Sequence, residues 1–203
     1  MEALPAEDRM TGRSVAKASR RAALLEAAAQ LFAERGYNGV SIEDLGAAAG
    51  VSGPAVYRHF TGKPSVLSAL LTGVSEDLLE GGRAVADEAG SAEDALRGLI
   101  RFQVDFALSN ADVIRVQDRD LRSLPYDHER NVRSLQRNYV QVWVDELARY
   151  FPETDRPLLR RKVHAVFGLI NSTPHTAQGT SSGRERGVLR DLLQDMAWAA
   201  LTA

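Results

Sequence analysis

Between Ser19 and Leu201, apolar residues return at three- and four-residue spacing in one segment after another, with no sustained two-residue alternation of Val, Ile and Thr. A period of about 3.6 builds amphipathic helices, whereas a period of two builds half-buried strands. The expected fold is therefore all-α. Ala, Leu, Glu and Arg, good helix formers, dominate the chain. Its 203 residues are enough for one domain or two small ones with a self-sufficient core. No cysteine is present, which removes disulfides, thiol nucleophiles and cysteine-bound metals.

Helix signals divide the chain. Residues 1–18 are polar and irregular and are expected to form a flexible basic arm. Leu24, Leu25, Ala28, Leu31 and Phe32 mark a first helix from Ser19, stopped at Gly36. Ser41 and Asp44 form a variant capping box ahead of Ile42, Leu45, Ala48 and Ala49, and Gly50 ends that short helix. A third helix is expected from Ser52 to about Phe60, with Pro54 in its first turn. A longer one starts at Lys63 and fades near Gly81-Gly82. Further on, Ser91 and Asp94 cap a helix through Leu108. Asn110 caps a short piece ending near Val116, and Gln117 to Arg122 reads as a charged turn. A long helix follows Pro125 and breaks at Pro152. Another carries Leu158 to Ile170, residues 174–184 read as a loop, and a last helix spans Val188 to Leu201.

The chemistry concentrates in Ser41 to Lys63. Two short helices joined at Ala49-Gly50-Val51 make a helix-turn-helix. Gly50 permits a positive-φ turn. Ser52 can cap the second helix and turn its N-terminus to phosphate. Gly53, Pro54 and Ala55 are small enough for close approach to base edges in a major groove. Tyr57, Arg58, His59 and Lys63 offer hydroxyl, guanidinium, imidazole and ammonium groups to phosphates. The formal net charge is −2, so DNA contact has to come from such a local patch. Arg9, Arg13, Lys17, Arg20 and Arg21 add a basic stretch without an acid.

The run GYNGVSIEDLGAAAGVSGPAVYRHFTGK, with Phe32 upstream, resembles the DNA-binding region of tetracycline-repressor-type (TetR family) transcriptional regulators. The resemblance covers roughly residues 20–70. It implies an N-terminal helix-turn-helix DNA-binding domain at 19–64 and a ligand-binding and dimerisation domain at 65–203. It implies phosphate contacts from Ser41, Ser52, Tyr57, His59 and Lys63, with Gly53, Pro54 and Ala55 at the base-reading end. Two positions depart from the family pattern. Glu43 stands where a basic or neutral polar residue often reaches DNA, and Gly53 has no side chain to read a base. Sequence choice then falls to Arg58, to Ala55 against a thymine methyl, or to DNA shape.

By the same resemblance, the last two helices pair with their symmetry mates, so the chain is a homodimer on a palindromic double-stranded operator. The middle helices would hold a small apolar or amphipathic effector, lined by Phe102, Phe106, Arg115, Arg119, Tyr126, Tyr139, Trp143 and Phe167. The segment Arg115 to Trp143 is similar to regulators that sense acyl-coenzyme A thioesters. No catalytic residues, metal or cofactor are expected: His59, His128, His164 and His175 are scattered, and no phosphate-binding Gly-rich loop or nucleophile elbow occurs. No apolar run reaches the ~18 residues of a membrane span and no secretory h-region is seen, so the expected compartment is the cytoplasm. Two other readings stay open on the residues alone. One is a helical enzyme with an apolar pocket. The other is a small-molecule or protein-interaction module whose helix-turn-helix no longer binds DNA.

Overall fold

The computed structural model describes residues 12–172 and 183–203. The described residues hold α-helices and short 3-10 turns, with no strand. In chain order the helices are α1 (Gly12–Arg35), α2 (Ile42–Ala48), α3 (Gly53–Val56), α4 (Lys63–Glu88), α5 (Ala92–Ser109), α6 (Ala111–Asp120), α7 (Tyr126–Tyr150), α8 (Arg156–Ile170) and α9 (Gly183–Thr202).

Several boundaries follow the sequence signals. α1 stops where Gly36 takes a φ of 78° and donates its N–H to the Phe32 carbonyl at 2.9 Å. The Ser41–Asp44 box forms in both directions, with Asp44 N–H on Ser41 Oγ at 3.1 Å and Ser41 N–H on Asp44 Oδ2 at 2.8 Å. Ser91 caps α5 through the Asp94 N–H at 3.1 Å.

Other boundaries differ, each for a local reason. α1 begins at Gly12 rather than Ser19, because residues 13–23 hold Ala, Lys and Arg with neither Pro nor Gly to stop a helix. α3 is only four residues long, but its hydrogen bonding continues: Phe60 N–H reaches the Val56 carbonyl at 3.0 Å. α4 runs through Gly81 and Gly82 to Glu88. There the glycines are close-approach residues, since a Cβ at Gly82 would fall 2.4 Å from the Tyr139 ring and one at Gly81 2.4 Å from Phe102. Asn110 turns its amide back to the Phe106 carbonyl and closes α5 instead of capping α6. α6 continues past Val116 to Asp120, which is buried, so this stretch is not a solvated turn. The loop expected at 174–184 lies outside the described residues except for 183 and 184, which open α9.

Two hydrophobic clusters organise the helices. The first gathers Leu24, Phe32, Leu45, Val56 and Phe60 with Val66, Leu67, Leu70 and Leu71 of α4, and also Val113 and Val116 of α6. The second gathers Leu79 of α4, Leu96 and Leu99 of α5, Ile114 of α6, Trp143 and Leu147 of α7, Val163 and Ile170 of α8, and Leu193 and Leu201 of α9. The first cluster thus extends well past residue 64, and both α4 and α6 serve two cores. α8 and α9 leave an apolar strip uncovered: Leu158, Val188, Leu192 and Met196 are four of the six exposed large hydrophobics among the described residues, and the three on α9 repeat every fourth residue. No helix among the described residues is long and apolar enough to cross a membrane.

The packing of α7 against α4 makes opposite demands at two glycines. Gly82→Ala drives a methyl into the buried Tyr139 ring and is expected to destabilise by about 1–3 kcal/mol. Gly73→Ala meets nothing within 4 Å and is expected to stabilise by about 0.5–1 kcal/mol through helix propensity alone. Urea unfolding of the two variants checks this, and a Gly82→Ala chain as stable as the parent would contradict it.

Candidate nucleic-acid interface and internal cavity

The angle between α2 and α3 is set by backbone contact. Val51 N–H donates to the Gly46 carbonyl at 2.8 Å, and Gly50 turns the chain with a φ of 68°. A Cβ at Gly46 would lie 2.9 Å from the Val51 carbonyl oxygen and 3.1 Å from the Gly53 nitrogen. Only glycine lets the two helices meet this closely. Sequence reasoning passed over Gly46; a glycine inside an otherwise capped, patterned helix was the available signal. α2 buries Ile42, Leu45 and Gly46, while Ala48 is exposed rather than internal.

The outer surface of this unit carries most of the polar groups singled out in the sequence. Ser41 is exposed, but its hydroxyl is committed to Asp44 at 2.6 Å. Those hydrogen bonds, from the Ser41 side chain and then its backbone, hold the Asp44 carboxyl below its usual range. Ser52 occupies the N-cap position of α3 without a side-chain cap bond. Pro54 and Arg58 are exposed, and Tyr57 is 58% exposed, unusual for an aromatic that merely fills a core. Gly53, Ala55 and His59 are half-buried. Arg20 of α1, Val51, Ser52, Ala55, Arg58 and His59 line one recess of about 350 Å³. Two guanidinium groups and an imidazole thereby meet beside the start of α3, an arrangement suited to a phosphate. Glu43 lies alongside Gly53: its Cγ and Oε1 are both 3.6 Å from where a Gly53 Cβ would be.

Lys63 sits differently. Its Nζ donates to the Tyr37 carbonyl at 2.9 Å and lies 4.4 Å from the centre of the Tyr37 ring. This pins the turn after α1 to the start of α4, and an ammonium with three donors retains capacity for a phosphate. Arg21 is placed over the Phe60 ring. Lys17 is exposed on α1. Arg9 and the Arg13 side chain lie outside the described residues, as does His175.

A second feature is internal. A cavity of about 180 Å³ lies among α4, α5, α6, α7 and α8, lined by Ser75, Leu78, Gln103, Gln117, Gln136, Tyr139, Val140, His164, Phe167 and Asn171. Tyr139 donates its hydroxyl to Gln103 Oε1 at 3.0 Å, and Gln103 Nε2 donates to Asn171 Oδ1 at 3.0 Å. Burial pushes the Tyr139 phenol up, so it stays a donor at neutral pH. The lining mixes apolar Leu78, Val140 and Phe167 with hydroxyl, amide and imidazole groups, and it has no lysine or arginine.

Of the residues expected to line such a cavity, Tyr139 and Phe167 do, stacked with ring centres 5.6 Å apart. Trp143 is fully buried behind them, edge-on to both. Phe102 and Phe106 pack against the second core, and Tyr126 is 74% exposed at the first turn of α7. Arg115 pairs with Asp112, one turn back on its own helix. Arg119 points away from the cavity, to α1. Gln103, Gln136 and Asn171 were not anticipated, because an amide inside a helical pattern carries no sequence signal of its own. Among the described residues no cluster of three His, Asp or Glu could hold a metal ion.

Comparison with known proteins agrees with this layout. The family model described as bacterial regulatory proteins, tetR family, matches residues 24–70, and the tetracyclin repressor-like C-terminal domain matches residues 89–175. The HTH-type transcriptional repressor KstR2 of Mycobacterium tuberculosis is 30% identical over 152 residues, covering 70% of this chain and 75% of that protein. The crystal structure of a TetR-family transcriptional regulator from Bordetella parapertussis 12822 superposes with a TM-score of 0.76 at 26% identity, covering 87% of this chain and 93% of the other. The regulator FadR from Bacillus subtilis, solved in complex with stearoyl-CoA, has the same fold, with a TM-score of 0.68 at 16% identity over 87% of this chain and 96% of that one.

The close crossing of α2 and α3 gives a direct test. In Gly46→Ala the new methyl meets backbone rather than a yielding side chain, and the loss expected is about 1–3 kcal/mol. Denaturant unfolding measures it, and an unchanged midpoint would show that the crossing tolerates a side chain.

Proposed function

The chain belongs to the tetR family of bacterial regulatory proteins, and we propose that it is a repressor that binds a palindromic operator as a homodimer in the cytoplasm and leaves it when a small amphipathic effector fills the internal cavity. The observation that carries this reading is the convergence of Arg20, Ser52, Arg58 and His59 at the start of α3, beside an exposed Tyr57. Phosphates meet Arg20, Ser52, Tyr57, Arg58 and His59, with Lys63 and Ser41 flanking. Gly53, Pro54 and Ala55 face the groove. The repressor assignment follows the name of KstR2.

The uncovered strip of Leu158, Val188, Leu192 and Met196 is the dimer face, paired with its symmetry copy as a four-helix bundle. Such a dimer holds two α3 helices about one DNA turn apart, which is why the operator is an inverted repeat.

The cavity argues for the effector's chemistry. Leu78, Val140 and Phe167 suit an apolar body, and the Tyr139–Gln103–Asn171 chain suits a carbonyl or hydroxyl. With no lysine or arginine in the lining, a phosphate-bearing head would stay outside. An acyl-coenzyme A thioester, the ligand class named for FadR, fits if its thioester end reaches the amides and its nucleotide remains at the surface. At about 180 Å³ the cavity falls below the usual ~300–1,000 Å³ of ligand sites. An occupant therefore favours a wider state, and a wider state is a different placement of the helices around it.

Selection of bound duplexes from a random pool tests the regulator reading. An enriched inverted repeat is expected, and stearoyl-CoA added to that complex is expected to release it. Lys63→Ala should weaken binding to every duplex and lower the salt slope by about one. No enrichment by protein freed of copurified ligand would refute sequence-specific binding, and an unchanged slope would remove Lys63 from the phosphate contacts.

A further inference from the structure

α6 has two working faces. Gln117 lines the cavity. Arg119, two residues on, lies about 200° around the helix and points the other way. Its Nη1 donates to the Ala33 carbonyl at 3.3 Å, and its Nη2 donates to the Phe32 carbonyl. Its guanidinium also pairs with the buried carboxylate of Asp120, at 3.0 Å from Nη2. Phe32 and Ala33 belong to the last turn of α1, where carbonyls lack helical partners and the helix dipole favours a cation. The Phe32 carbonyl also takes the Gly36 N–H that ends α1. The guanidinium carbon lies 3.8 Å from the position a Gly36 Cβ would take.

We infer that Arg119 is a positioning residue, a non-covalent latch that ties the cavity-lining helix to the end of α1 and so sets where α2 and α3 hang. This rests on the regulator reading for its purpose but not for its physics. Among the described residues the helix-turn-helix core is joined to the rest of the chain by α4, by apolar packing of Val113, Val116, Leu121, Leu124 and Val132, and by the polar contact of Arg119. α4 is continuous backbone and cannot release. The hydrogen bonds of Arg119 can, and they hold the end of α1 at Phe32 and Ala33, beside Gly36, where the turn into α2 begins. A cavity that widens against Gln117 displaces α6 and loads the Arg119 hydrogen bonds. Asp120 holds the guanidinium in its forked orientation, since a carboxylate buried beside it needs that charge.

The experiment is a double-variant cycle read by amide hydrogen exchange of residues 33–40 in DNA-free protein. Gln117→Phe serves as the probe, placing a ring in the cavity in lieu of a ligand. In the parent chain it is expected to speed exchange of this segment by about tenfold, within the usual range of coupling between sites. Arg119→Lys keeps a charge for Asp120 but loses the planar fork that spans two carbonyls. In that background the segment is already fast, and Gln117→Phe adds less than about twofold. If Arg119→Lys lowers global stability, the charge-free pair Arg119→Met with Asp120→Asn gives the same comparison. Equal responses in the two backgrounds overturn the latch, as does an unchanged segment when Gln117→Phe is made in the parent chain. Since no DNA is present, failure to select an operator would refute the regulator reading and leave this result standing.

Discussion

α4 is held by two hydrophobic cores at once. Its first turns supply Val66, Leu67, Leu70 and Leu71 to the helix-turn-helix core, and Leu79 enters the core around Trp143. A helix buried at both ends cannot pivot without repacking one of them, and packed interiors respond in discrete steps rather than by smooth deformation. α1, α5 and α7 pack against that rod. Gly81 and Gly82 bring the rings of Phe102 and Tyr139 against its backbone. Tyr139 in turn anchors the amide chain in the cavity. α6 crosses between the two cores with Val113 and Val116 on one side and Ile114 on the other.

The DNA-reading unit depends on the same economy of space. Its helices are too short to be stable alone, so their geometry comes from caps, from glycines and from burial of Leu45, Val56 and Phe60. With the interior so fixed, Ser52, Arg58 and His59 are left along one recess, joined there by Arg20 from α1. The contact of Glu43 with Gly53 puts the two departures from the family pattern side by side. A carboxylate opposes phosphate and can accept from a cytosine amino group, so in the proposed complex Glu43 would bear on which sequence is chosen.

Much of this was legible in the residues. Capping pairs and helix stops are local, and they appear where Ser41, Asp44, Gly36, Gly50, Ser91 and Asp94 place them. The resemblance carried the helix-turn-helix and the division of labour between its two parts. What escaped was tertiary. Gly82 reads as the fading end of a helix, and Gly46 carries no evident meaning, until the neighbouring ring or backbone is seen. Asp120 read as solvated until Arg119 is found beside it. An arginine's destination cannot be known from its own helix: Arg119 was expected in the cavity and instead binds carbonyls of α1, 86 and 87 residues away. The cavity amides were silent for the same reason.

In the proposed dimer, two copies of the chain hold their recognition helices at a spacing set for one turn of DNA. The chain has no cysteine, so a single Ala48→Cys on the exposed end of α2 can carry a spin label without competing sites. Pulsed dipolar spectroscopy of that protein, free and with the selected duplex, measures the spacing directly. One pair distance is expected, narrowed on DNA around the value that goes with recognition helices about 34–36 Å apart. Absence of any pair distance, or a distribution that the duplex leaves unchanged, would contradict it.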